Sequence, residues 1–426
     1  MLFRSDASLR RQLTAIVHGN AALKNTTDIL QQWKELITKP AMTLSEAIMG
    51  PIVIIIDALD ESGDTDSRRV LLRILGNTIT DSRVTDLPPN FRILLTSRPL
   101  PDIHAALNRG THIRKKSMDS IPPDSTQRDI LRYVSDELSQ VDFEIPSQEV
   151  FDSLTRFSGQ IFEWARLACA YIRGDNAGTI LEPEERFNAI ITHSKTDHVP
   201  LLDGMYKFTL EAIFPKEQPA SHRDRGLKRF ESVMAQILGT KEPLCLGSLT
   251  SMRSHFKDLA DIKIHRILAP MAALLSGAID PSVPIRPLHA SFADFLTDRD
   301  RSHEFFIDIH HIHNDLAFAS LGVMKELRFN ICDLPSSYLS NSQVLDLDDR
   351  VKKCIPAEMA YSCRFWTDHV RDTSFNSALA EEVRVFFNHE RLLFWFETLS
   401  LLNVVNTCAG SLSSIIQWVT VCRMTF

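Results

Sequence analysis

The sequence predicts an α/β protein in which a small parallel sheet is followed by a long α-helical region. Two short apolar segments, 52–56 and 91–95, have the length and composition of buried strands. A helical pattern at 68–79 separates them, and this is the spacing of one βαβ crossover, so the strands are expected to pair in parallel. From residue 126 onwards apolar residues recur with helical periodicity. These observations define the fold class, α/β plus α.

The composition is that of a multidomain globular protein from a reducing compartment. The chain has 426 residues, 44% hydrophobic and 24% charged, enough for about two to four domain cores. Its net charge of −7 argues against a general nucleic-acid or acidic-membrane binder. The 7 cysteines are scattered without a C-x-x-C pair, and the first residues lack the apolar segment of a secretory signal. We therefore expect a cytoplasmic protein without a disulfide framework or a zinc site.

An acidic segment follows the first predicted strand, at the sheet edge where α/β proteins bind ligands. Asp57 comes directly after the strand, and Asp60 and Glu61 follow within one turn. Asp57 would hold Mg²⁺ through water, because Mg²⁺ prefers few carboxylates and keeps much of its hydration. Asp60 and Glu61 would orient or activate a water against a γ-phosphate. The alternative is a buried strand that ends in a solvated acidic turn.

Polar residues also follow the second predicted strand, namely Thr96, Ser97 and Arg98. Because the carboxyl ends of parallel strands meet at one sheet edge, the two polar segments are expected to converge on one phosphate site. Arg98 would sense the γ-phosphate, since a guanidinium pairs well with phosphate oxygens. Alternatively, Arg98 forms an ion pair with Asp57 or Asp60 across the strand ends.

The segment DALDE (57–61), followed by LLTSRP (94–99), resembles the NACHT domain of the signal-transduction ATPases with numerous domains, the STAND NTPases. The likeness is greatest to fungal NACHT proteins related to NOD-like receptors. In that family a small residue follows the Mg²⁺-binding Asp, and an acidic pair comes three positions on. Ala58 and the pair Asp60 and Glu61 match this pattern. The resemblance implies a Walker B segment and a sensor strand.

A P-loop NTPase also needs the sequence G-x-x-x-x-G-K-[ST], whose backbone N–H groups and Lys surround the phosphates. The chain contains no such sequence, and its nearest pattern, GNAALK at 19–24, lacks the second Gly and the hydroxyl residue. The resemblance therefore implies a NACHT protein that is N-terminally truncated and lacks its first strand and Walker A loop. Nucleotide hydrolysis is then expected to be impaired. A wrongly assigned start codon or intron is the alternative explanation.

The segment PLHASFADFL (287–296) resembles the histidine motif that closes the winged helix of NACHT proteins. By this resemblance His289 contacts the β-phosphate of ADP and holds the closed state. A His donor on a mobile domain would bind nucleotide in one conformer only, which is the differential affinity that a switch requires. The alternative is a His N–H that caps a neighbouring backbone carbonyl.

Residues 205–298 resemble a winged-helix domain, with a helix at 264–275 and a β-wing at 277–286. A winged helix can read DNA through its recognition helix. The segment 264–275 offers only His265 and Arg266 as polar contacts, so a packing role is favoured over base reading. Nucleic acid is therefore not the expected partner.

The C-terminal region contains two patterns with alternative interpretations. His310 and His313 share a helix face and could bind a metal, although no nearby Cys or carboxylate completes a tetrahedral set. The segment 398–422 carries no charge, but its Asn, Gln, Ser and Thr residues make it too polar for a membrane span. We predict two core helices there and no membrane association.

The resemblance implies four domains and a nucleotide-dependent switch. The domains are a partial NACHT α/β core (1–120), a helical domain (121–200), a winged-helix domain (201–298) and a C-terminal helical arm (299–426). The implied site residues are Asp57 for the metal, Asp60 and Glu61 for catalysis, and Arg98 and His289 for the cofactor.

The implied cofactors are ATP or ADP (or GTP) with Mg²⁺, and the implied function is signalling in innate immunity or heterokaryon incompatibility. ADP would hold the closed state, and ATP would support oligomerisation with itself or with full-length NACHT relatives. The first alternative is a non-enzymatic scaffold derived from a NACHT protein. The second is a winged-helix DNA-binding protein.

Overall fold

The protein is described by a computed structural model that consists mostly of helices and contains two small sheets. The chain forms two compact units, Met1–Lys116 with Leu399–Ala409, and Ser117–Thr398 with Gly410–Phe426. The residues that the structure describes are 7–19, 23, 28–47, 50–62, 65–76, 87–108, 112–174, 181–196, 201–216, 218–336, 338–388 and 390–424.

The first unit contains a parallel two-stranded sheet with helices before, between and after its strands. Strand β1 (Ile52–Ile56) pairs with β2 (Phe91–Leu95), and Ile52 lies opposite Phe91. The parallel pairing predicted from the crossover spacing is therefore confirmed. The helix predicted at 68–79 is found, although 77–79 lie outside the described residues. The helices are α1 (Ala7–Gly19), α2 (Ile29–Trp33), α3 (Lys39–Ala47), α4 (Thr65–Leu75) and α5 (Pro101–Leu107).

Only one face of this sheet is covered by the described residues. Ile52 and Phe91 are buried with Ala41 of α3. On the opposite face Ile55 is 64% exposed and Leu94 is 55% exposed. The prediction that the first strand is buried on both faces is therefore wrong. The reason is that side chains alternate between faces along a strand, and the described helices pack against one face alone.

Pro40 predicts an end to the helix at 28–37, and this prediction is wrong. A π-helical turn, Lys34–Thr38, joins α2 directly to α3. In that turn the Lys39 N–H bonds to the Lys34 carbonyl, five residues back. Pro40 has no N–H, and its ring crowds the carbonyl four residues before it. The wider turn accommodates this defect, so the helical structure continues past the proline.

The chain after residue 117 is almost entirely helical, as its periodicity predicts. The helix pair predicted at 378–402 is present. The predicted helical stretch 148–173 is also present, and it is interrupted near Gly159 as expected. The helices are α6 (Pro123–Glu137), α7 (Ser147–Phe157), α8 (Phe162–Arg173), α9 (Pro183–Thr196), α10 (Leu201–Ile213), α11 (Ala220–Gly239), α12 (Leu246–Arg253), α13 (Ile264–Leu268), α14 (Ala290–Leu296), α15 (Arg299–Ser302), α16 (Ile309–Val323), α17 (Leu347–Cys354), α18 (Ala357–Arg371), α19 (Ser377–Phe387), α20 (Arg391–Leu401) and α21 (Cys408–Met424).

Two local predictions need correction. The helix predicted at 264–275 ends at Leu268 and continues only as a 3₁₀ turn, because Pro270 supplies no N–H for a longer helix. The segment THIRKK (111–116) predicts one more strand, but its described residues, 112–116, are irregular and mostly exposed. Residue 111 lies outside the described part of the chain.

A short antiparallel pair occupies the position of the predicted wing. Strand β3 (Leu275–Ser276) pairs with β4 (Arg286–Pro287). Gly277 follows β3 with φ +66°, and a Cβ there would lie 2.3 Å from the Val283 carbonyl oxygen. Only glycine fits this tight approach without moving the backbone.

Helix α16 is the central element of the second unit. It packs against α18, α11, α12 and α19. Leu316, Ala317 and Ala319 of this helix are fully buried. The small alanine side chains let the neighbouring helices approach closely, so α16 forms the common core of the C-terminal helices.

Candidate functional site

A turn after β1 places the acidic residues at the carboxyl edge of the parallel sheet. Hydrogen bonds continue beyond the strands: the Thr96 N–H donates to the Ile56 carbonyl, and the Leu59 N–H donates to the Thr96 carbonyl, both at 3.0 Å. Ala58 is left-handed, with φ 52° and ψ 56°, a conformation that bulky residues adopt only with strain. Leu59 is fully buried against α4 and α5, so it anchors the turn.

Thr96 orients the carboxylate of Asp57. Its hydroxyl accepts a hydrogen bond from the Ala58 N–H at 2.8 Å. It donates its proton to Asp57 Oδ1. Asp57 is exposed, and no group among the described residues is recorded as bonding to its other oxygen, Oδ2. One carboxylate oxygen is therefore oriented and the other is open to water, which fits Mg²⁺ bound through one carboxylate and several waters.

Asp60 and Arg98 form an ion pair across the strand ends. The Arg98 N–H donates to Asp60 Oδ1 at 3.0 Å, and Arg98 Nε donates to Oδ2 at 2.6 Å. The side chain of Asp60 is only 4% exposed, whereas that of Arg98 is 48% exposed. Burial opposes ionisation of Asp60, but the hydrogen bonds from Arg98 outweigh it and lower the pKa of this carboxyl. Both oxygens of Asp60 are thus occupied by Arg98.

A second arginine, Arg68, forms a hydrogen bond to the backbone of the acidic turn. Arg68 of α4 donates through Nη1 to the Asp60 carbonyl at 3.2 Å. Its Nε donates to Asp102 Oδ2 at 2.7 Å. The hydrogen bond from Arg68 lowers the pKa of the Asp102 carboxyl. Because Asp102 lies in the first turn of α5, this pair connects α4, α5 and the turn that carries the candidate site.

Glu61 has different surroundings from Asp60. Its side chain is exposed, and no partner for its carboxylate is recorded among the described residues. In the acidic pair, Asp60 is therefore occupied by Arg98 and Glu61 is available to a solvent water. The structure brings Asp57, Asp60 and Arg98 together around Thr96 and places Glu61 beside them.

His289 belongs to the second unit, where it caps helix α14. Its Nδ1 accepts the Ser291 N–H at 3.3 Å and lies 2.6 Å from Ser291 Oγ. The expected alternative was a ring N–H that caps a carbonyl; the structure instead shows the ring nitrogen accepting at a helix N-terminus. The His289 side chain is exposed.

A buried tyrosine completes the hydrogen bonds behind His289. Tyr206 is fully buried, and its hydroxyl lies 2.8 Å from Ser291 Oγ. Burial raises the pKa of Tyr206, so its hydroxyl stays protonated. Because the Ser291 N–H donates to Nδ1, this nitrogen is an acceptor, and the order Tyr206 O–H to Ser291 O–H to His289 Nδ1 gives each hydroxyl proton an acceptor. The proton of the neutral imidazole then resides on Nε2, which suits donation to an anionic oxygen.

The two C-terminal patterns also receive a structural description. His313 is buried, with Nδ1 3.0 Å from Nδ1 of His369, whereas His310 is exposed. No cluster of three or more metal-ligating side chains occurs in the described part of the chain. The segment 398–422 contains the last residues of α20, a 3₁₀ turn (Val405–Thr407) and most of α21. In the described ranges, no helix combines the length and the apolar character needed to cross a bilayer.

Comparison with known families identifies a match at the N-terminal end. A family model described as Nephrocystin 3, N-terminal matches residues 1–98. The matched region contains both strands of the parallel sheet and ends at Arg98, so it includes the acidic turn and its arginine partner.

Comparison with individual proteins identifies a fungal relative. The chain is 24% identical over 383 residues to the vegetative incompatibility protein HET-E-1 of Podospora anserina. The alignment covers 83% of this chain and 26% of the relative, so the chain spans about a quarter of that protein. No solved structure matches the chain. At a coarse level these similarities support the NACHT-like, HET-E-like relationship that the motifs indicate.

Several residues of the site were not assigned roles by sequence reasoning. The sequence identifies Thr96 only as a polar residue after a strand, and it indicates no role for Arg68, Asp102 or Tyr206. Arg68 and Asp102 lie 34 positions apart, and Tyr206 and Ser291 lie 85 apart. The only available signal was a charged or hydroxyl residue within an otherwise apolar pattern. Such a signal does not identify the partner, because long-range pairs carry no fixed spacing.

Proposed function

We propose that this chain is a NACHT-type signalling module whose conformation responds to ATP and ADP. Asp57 would hold Mg²⁺, Arg98 would sense the γ-phosphate, and His289 would hold ADP in the closed state. ATP would favour oligomerisation with a second copy or with a full-length relative. The distant similarity to a vegetative incompatibility protein supports this function only in general terms. The biological process we expect is heterokaryon incompatibility or innate immunity.

The observation that carries the proposal is the geometry at the ends of β1 and β2. Asp57 is oriented by Thr96 and keeps one oxygen open to solvent. Arg98 lies at the same sheet edge. It forms an ion pair with the buried Asp60, and about half of the Arg98 side chain remains exposed. A metal-binding carboxylate beside a guanidinium, at the carboxyl ends of adjacent parallel strands, is the arrangement that α/β nucleotide-binding proteins use for phosphates.

The ion pair provides a way for the site to respond to phosphate. Mg²⁺ bound at Asp57 would neutralise charge on the phosphate oxygens. An incoming phosphate would compete with Asp60 for the Arg98 guanidinium, since both are oxyanions that accept paired N–H bonds. Asp60, once released, would join Glu61 as a carboxylate able to orient water. The chain has no G-x-x-x-x-G-K-[ST] sequence, so we expect weak binding and impaired hydrolysis.

His289 would couple the nucleotide to conformation. Its side chain is exposed, and its Nδ1 is held by Ser291. If His289 donates to the nucleotide in one conformer only, ligand binding shifts the population toward that conformer. GTP would be bound by the same groups, because none of them contacts a base.

The direct test is equilibrium binding of fluorescent ADP and ATP, with and without Mg²⁺. We expect a dissociation constant of roughly 1–100 μM. The isosteric Asp57→Asn variant should lose the Mg²⁺ dependence. Arg98→Ala should weaken ATP more than ADP, and His289→Ala should weaken ADP more than ATP, each by at least about tenfold.

Matched controls separate a site effect from a folding effect. Arg384→Ala removes an arginine whose partner, Glu381, is also exposed. His265→Ala removes an exposed histidine. Neither should change nucleotide affinity. Absence of binding up to about 1 mM nucleotide would contradict the proposal, since such affinity is worth only about 4 kcal/mol.

A second candidate function is a non-enzymatic NACHT-derived scaffold, and the exposed sheet face favours it. Ile55 and Leu94 lie in solvent, although parallel sheets are ordinarily covered on both faces. In a scaffold this face would contact a partner chain. Sedimentation velocity without nucleotide should then show self-association that Ile55→Lys abolishes, and a monomer at all concentrations would argue against self-association.

A further inference from the structure

The second unit carries a basic cavity. The cavity has a volume of about 450 Å³ and is lined by residues of α11, of the 257–263 loop and of α13. Helices α11 and α13 pack against each other, so the cavity lies within one structural unit. None of the residues assigned to nucleotide binding lines it.

Positive charge dominates the lining of this cavity. Arg229, Lys257, Lys263 and Arg266 contribute 4 cationic side chains, and Asp261 contributes the one carboxylate of the lining. All of these side chains are exposed. No hydrogen bond or ion pair of the 4 cationic side chains is recorded with any residue that the structure describes. The cavity therefore presents a surplus of unneutralised positive charge in a chain whose net charge is −7.

The cavity also has an apolar side. Leu259, Ile262 and Ile267 line it together with the cationic residues. Leu259 is left-handed, with φ 57°, and is 44% exposed. The left-handed conformation costs a non-glycine residue about 1–2 kcal/mol, and here it leaves the leucine side chain partly exposed at the cavity. A ligand with a carbon skeleton would cover this surface.

A buried arginine holds the loop that forms the cavity. Arg253 is fully buried and donates through Nε to Gln236 Oε1 at 2.8 Å. It also donates through Nη2 to the Ser232 carbonyl at 2.8 Å, and through Nη1 to the Leu259 carbonyl at 3.5 Å. These bonds tie the loop to α11. The bond to the Leu259 carbonyl restricts the loop, and a restricted loop loses less entropy on ligand binding.

We propose that this cavity binds a small molecule that carries two phosphate groups on a carbon skeleton. Each phosphate monoester contributes a charge of about −1.5 to −2 at neutral pH. Two such groups match the surplus of the lining, which is 4 cationic side chains against one carboxylate. The volume of about 450 Å³ falls in the range of about 300–1,000 Å³ found for small-molecule sites. Arg229 and Arg266 offer paired N–H donors for phosphate oxygens.

The lining favours a small molecule over nucleic acid. The cationic residues surround one cavity, whereas a nucleic-acid surface needs charges that follow an extended backbone. No aromatic side chain lines this cavity for base stacking. The lining shares no residue with the proposed nucleotide switch.

The test is isothermal titration calorimetry of the whole chain with fructose 1,6-bisphosphate as the probe. We expect a dissociation constant of roughly 10–100 μM at moderate salt, and weaker binding of inorganic phosphate. Lys257→Gln combined with Lys263→Gln should weaken the bisphosphate at least about tenfold. The matched control, Lys352→Gln with Lys353→Gln, removes two exposed lysines of α17 and should leave affinity unchanged.

Three outcomes would overturn the proposal. One is the absence of bisphosphate binding, and another is equal weakening by the control pair. The third is tighter binding of a short DNA duplex than of the bisphosphate. Asp57→Asn should leave bisphosphate affinity unchanged while it alters Mg²⁺-dependent nucleotide binding, so failure of either proposal is recognised separately.

Discussion

At the scale of single residues, the chemistry of the candidate site depends on which carboxylate Arg98 pairs with. It pairs with Asp60, whose side chain is almost fully buried. Asp57 is instead held by a neutral hydroxyl and remains exposed. A buried carboxylate needs a charged partner, whereas an exposed one is stabilised by water. The pairing therefore leaves Asp57 as the carboxylate available to a cation.

Arg98→Ala should destabilise the fold at neutral pH by about 1–2 kcal/mol, because Asp60 would remain ionised without its partner. The folded-state pKa of Asp60 is lowered, so the stabilisation is present above the unfolded pKa of about 3.9. It is lost as the pH falls through the folded-state pKa. Urea unfolding at pH 7 and at pH 3 measures the difference between variant and wild type.

The control for this prediction is Arg384→Ala, which removes an ion pair that is exposed at both partners. It should change the free energy of unfolding by less than about 0.5 kcal/mol at either pH. A loss for Arg98→Ala that is as large at pH 3 as at pH 7 would mean that packing, and not charge, is responsible.

Tyr206→Phe should release the hydrogen bond behind His289. The buried hydroxyl bonds to Ser291 Oγ at 2.8 Å, so its removal should cost about 1 kcal/mol of unfolding free energy. Ser291 would keep its contact with Nδ1 but lose the donor that orients its own proton. Because the Ser291 N–H still donates to Nδ1 in the variant, nitrogen-15 NMR of the imidazole should show only a reduced share of the Nε2–H tautomer, against a single Nε2–H form in the wild type. A single Nε2–H form in both proteins would show that the tyrosine has no such role.

At the scale of elements, helices α16 and α18 are joined by two buried histidines. His313 Nδ1 lies 3.0 Å from His369 Nδ1, and His369 Nε2 lies 2.8 Å from the Tyr361 hydroxyl. The Lys241 N–H donates to that hydroxyl at 2.9 Å, so the tyrosine proton is directed at His369 Nε2. His369 then donates through Nδ1 to His313. This arrangement requires both rings to be neutral.

The histidine pair should make the second unit sensitive to acid. Burial, His313 and Lys241 lower the pKa of His369 to about 3, and burial lowers that of His313. Asp372 acts in the opposite direction, whereas His310 and Arg371 reinforce the lowering for His313. Below pH 6.5, which is about the pKa of histidine in the unfolded chain, these two histidines bind protons in the unfolded state but remain neutral in the folded state. As the pH falls below this value, the free energy of unfolding should decrease by about 1.4 kcal/mol per pH unit for each such histidine.

Chemical unfolding between pH 7.5 and pH 5 measures this dependence. His369→Gln should reduce the slope by about 1.4 kcal/mol per pH unit below pH 6.5. His265→Gln, at an exposed position, should retain the wild-type slope. An unchanged slope in His369→Gln would refute the assignment of acid sensitivity to the pair.

At the scale of the whole molecule, the described chain divides into two compact units with different construction. The first contains the parallel sheet, whereas the second is helical with α16 at its centre. The candidate phosphate-sensing residues Asp57, Asp60 and Arg98 belong to the first unit, and His289 and the basic cavity belong to the second. A function that depends on both sets of residues would be a property of the whole chain.

Leu316→Ala should destabilise the second unit by about 2–5 kcal/mol. This fully buried leucine, in the middle of α16, packs among the neighbouring helices, and alanine would leave a cavity there. Fluorine NMR of 5-fluorotryptophan at Trp366, which is buried beside Trp395, reports unfolding of this unit. Leu393→Ala, at a position 65% exposed, is the control and should have little effect. A loss of unfolding free energy below about 1 kcal/mol for Leu316→Ala would contradict the central role of α16.

Local patterns in the sequence were sufficient to predict most elements. The strands at 52–56 and 91–95 and most C-terminal helices follow from periodicity, which acts over a few residues. The parallel pairing of the two strands follows from the spacing of one βαβ crossover. The prediction that Pro40 ends a helix is wrong because a π turn just before it accommodates the missing N–H. The strand expected at 111–116 was misjudged because a strand needs a partner, and a partner is not a local property.

The sequence by itself determined which residue types stand at the strand ends and therefore the class of chemistry, carboxylates beside a guanidinium. Only the tertiary structure decided that Arg98 pairs with Asp60 and that Thr96 orients Asp57. It also brought His313 to His369 and gathered lysines and arginines from separate elements around one cavity. The physical reason is that secondary structure arises from neighbours along the chain, whereas burial and charge pairing depend on residues that are distant in sequence and meet only on folding.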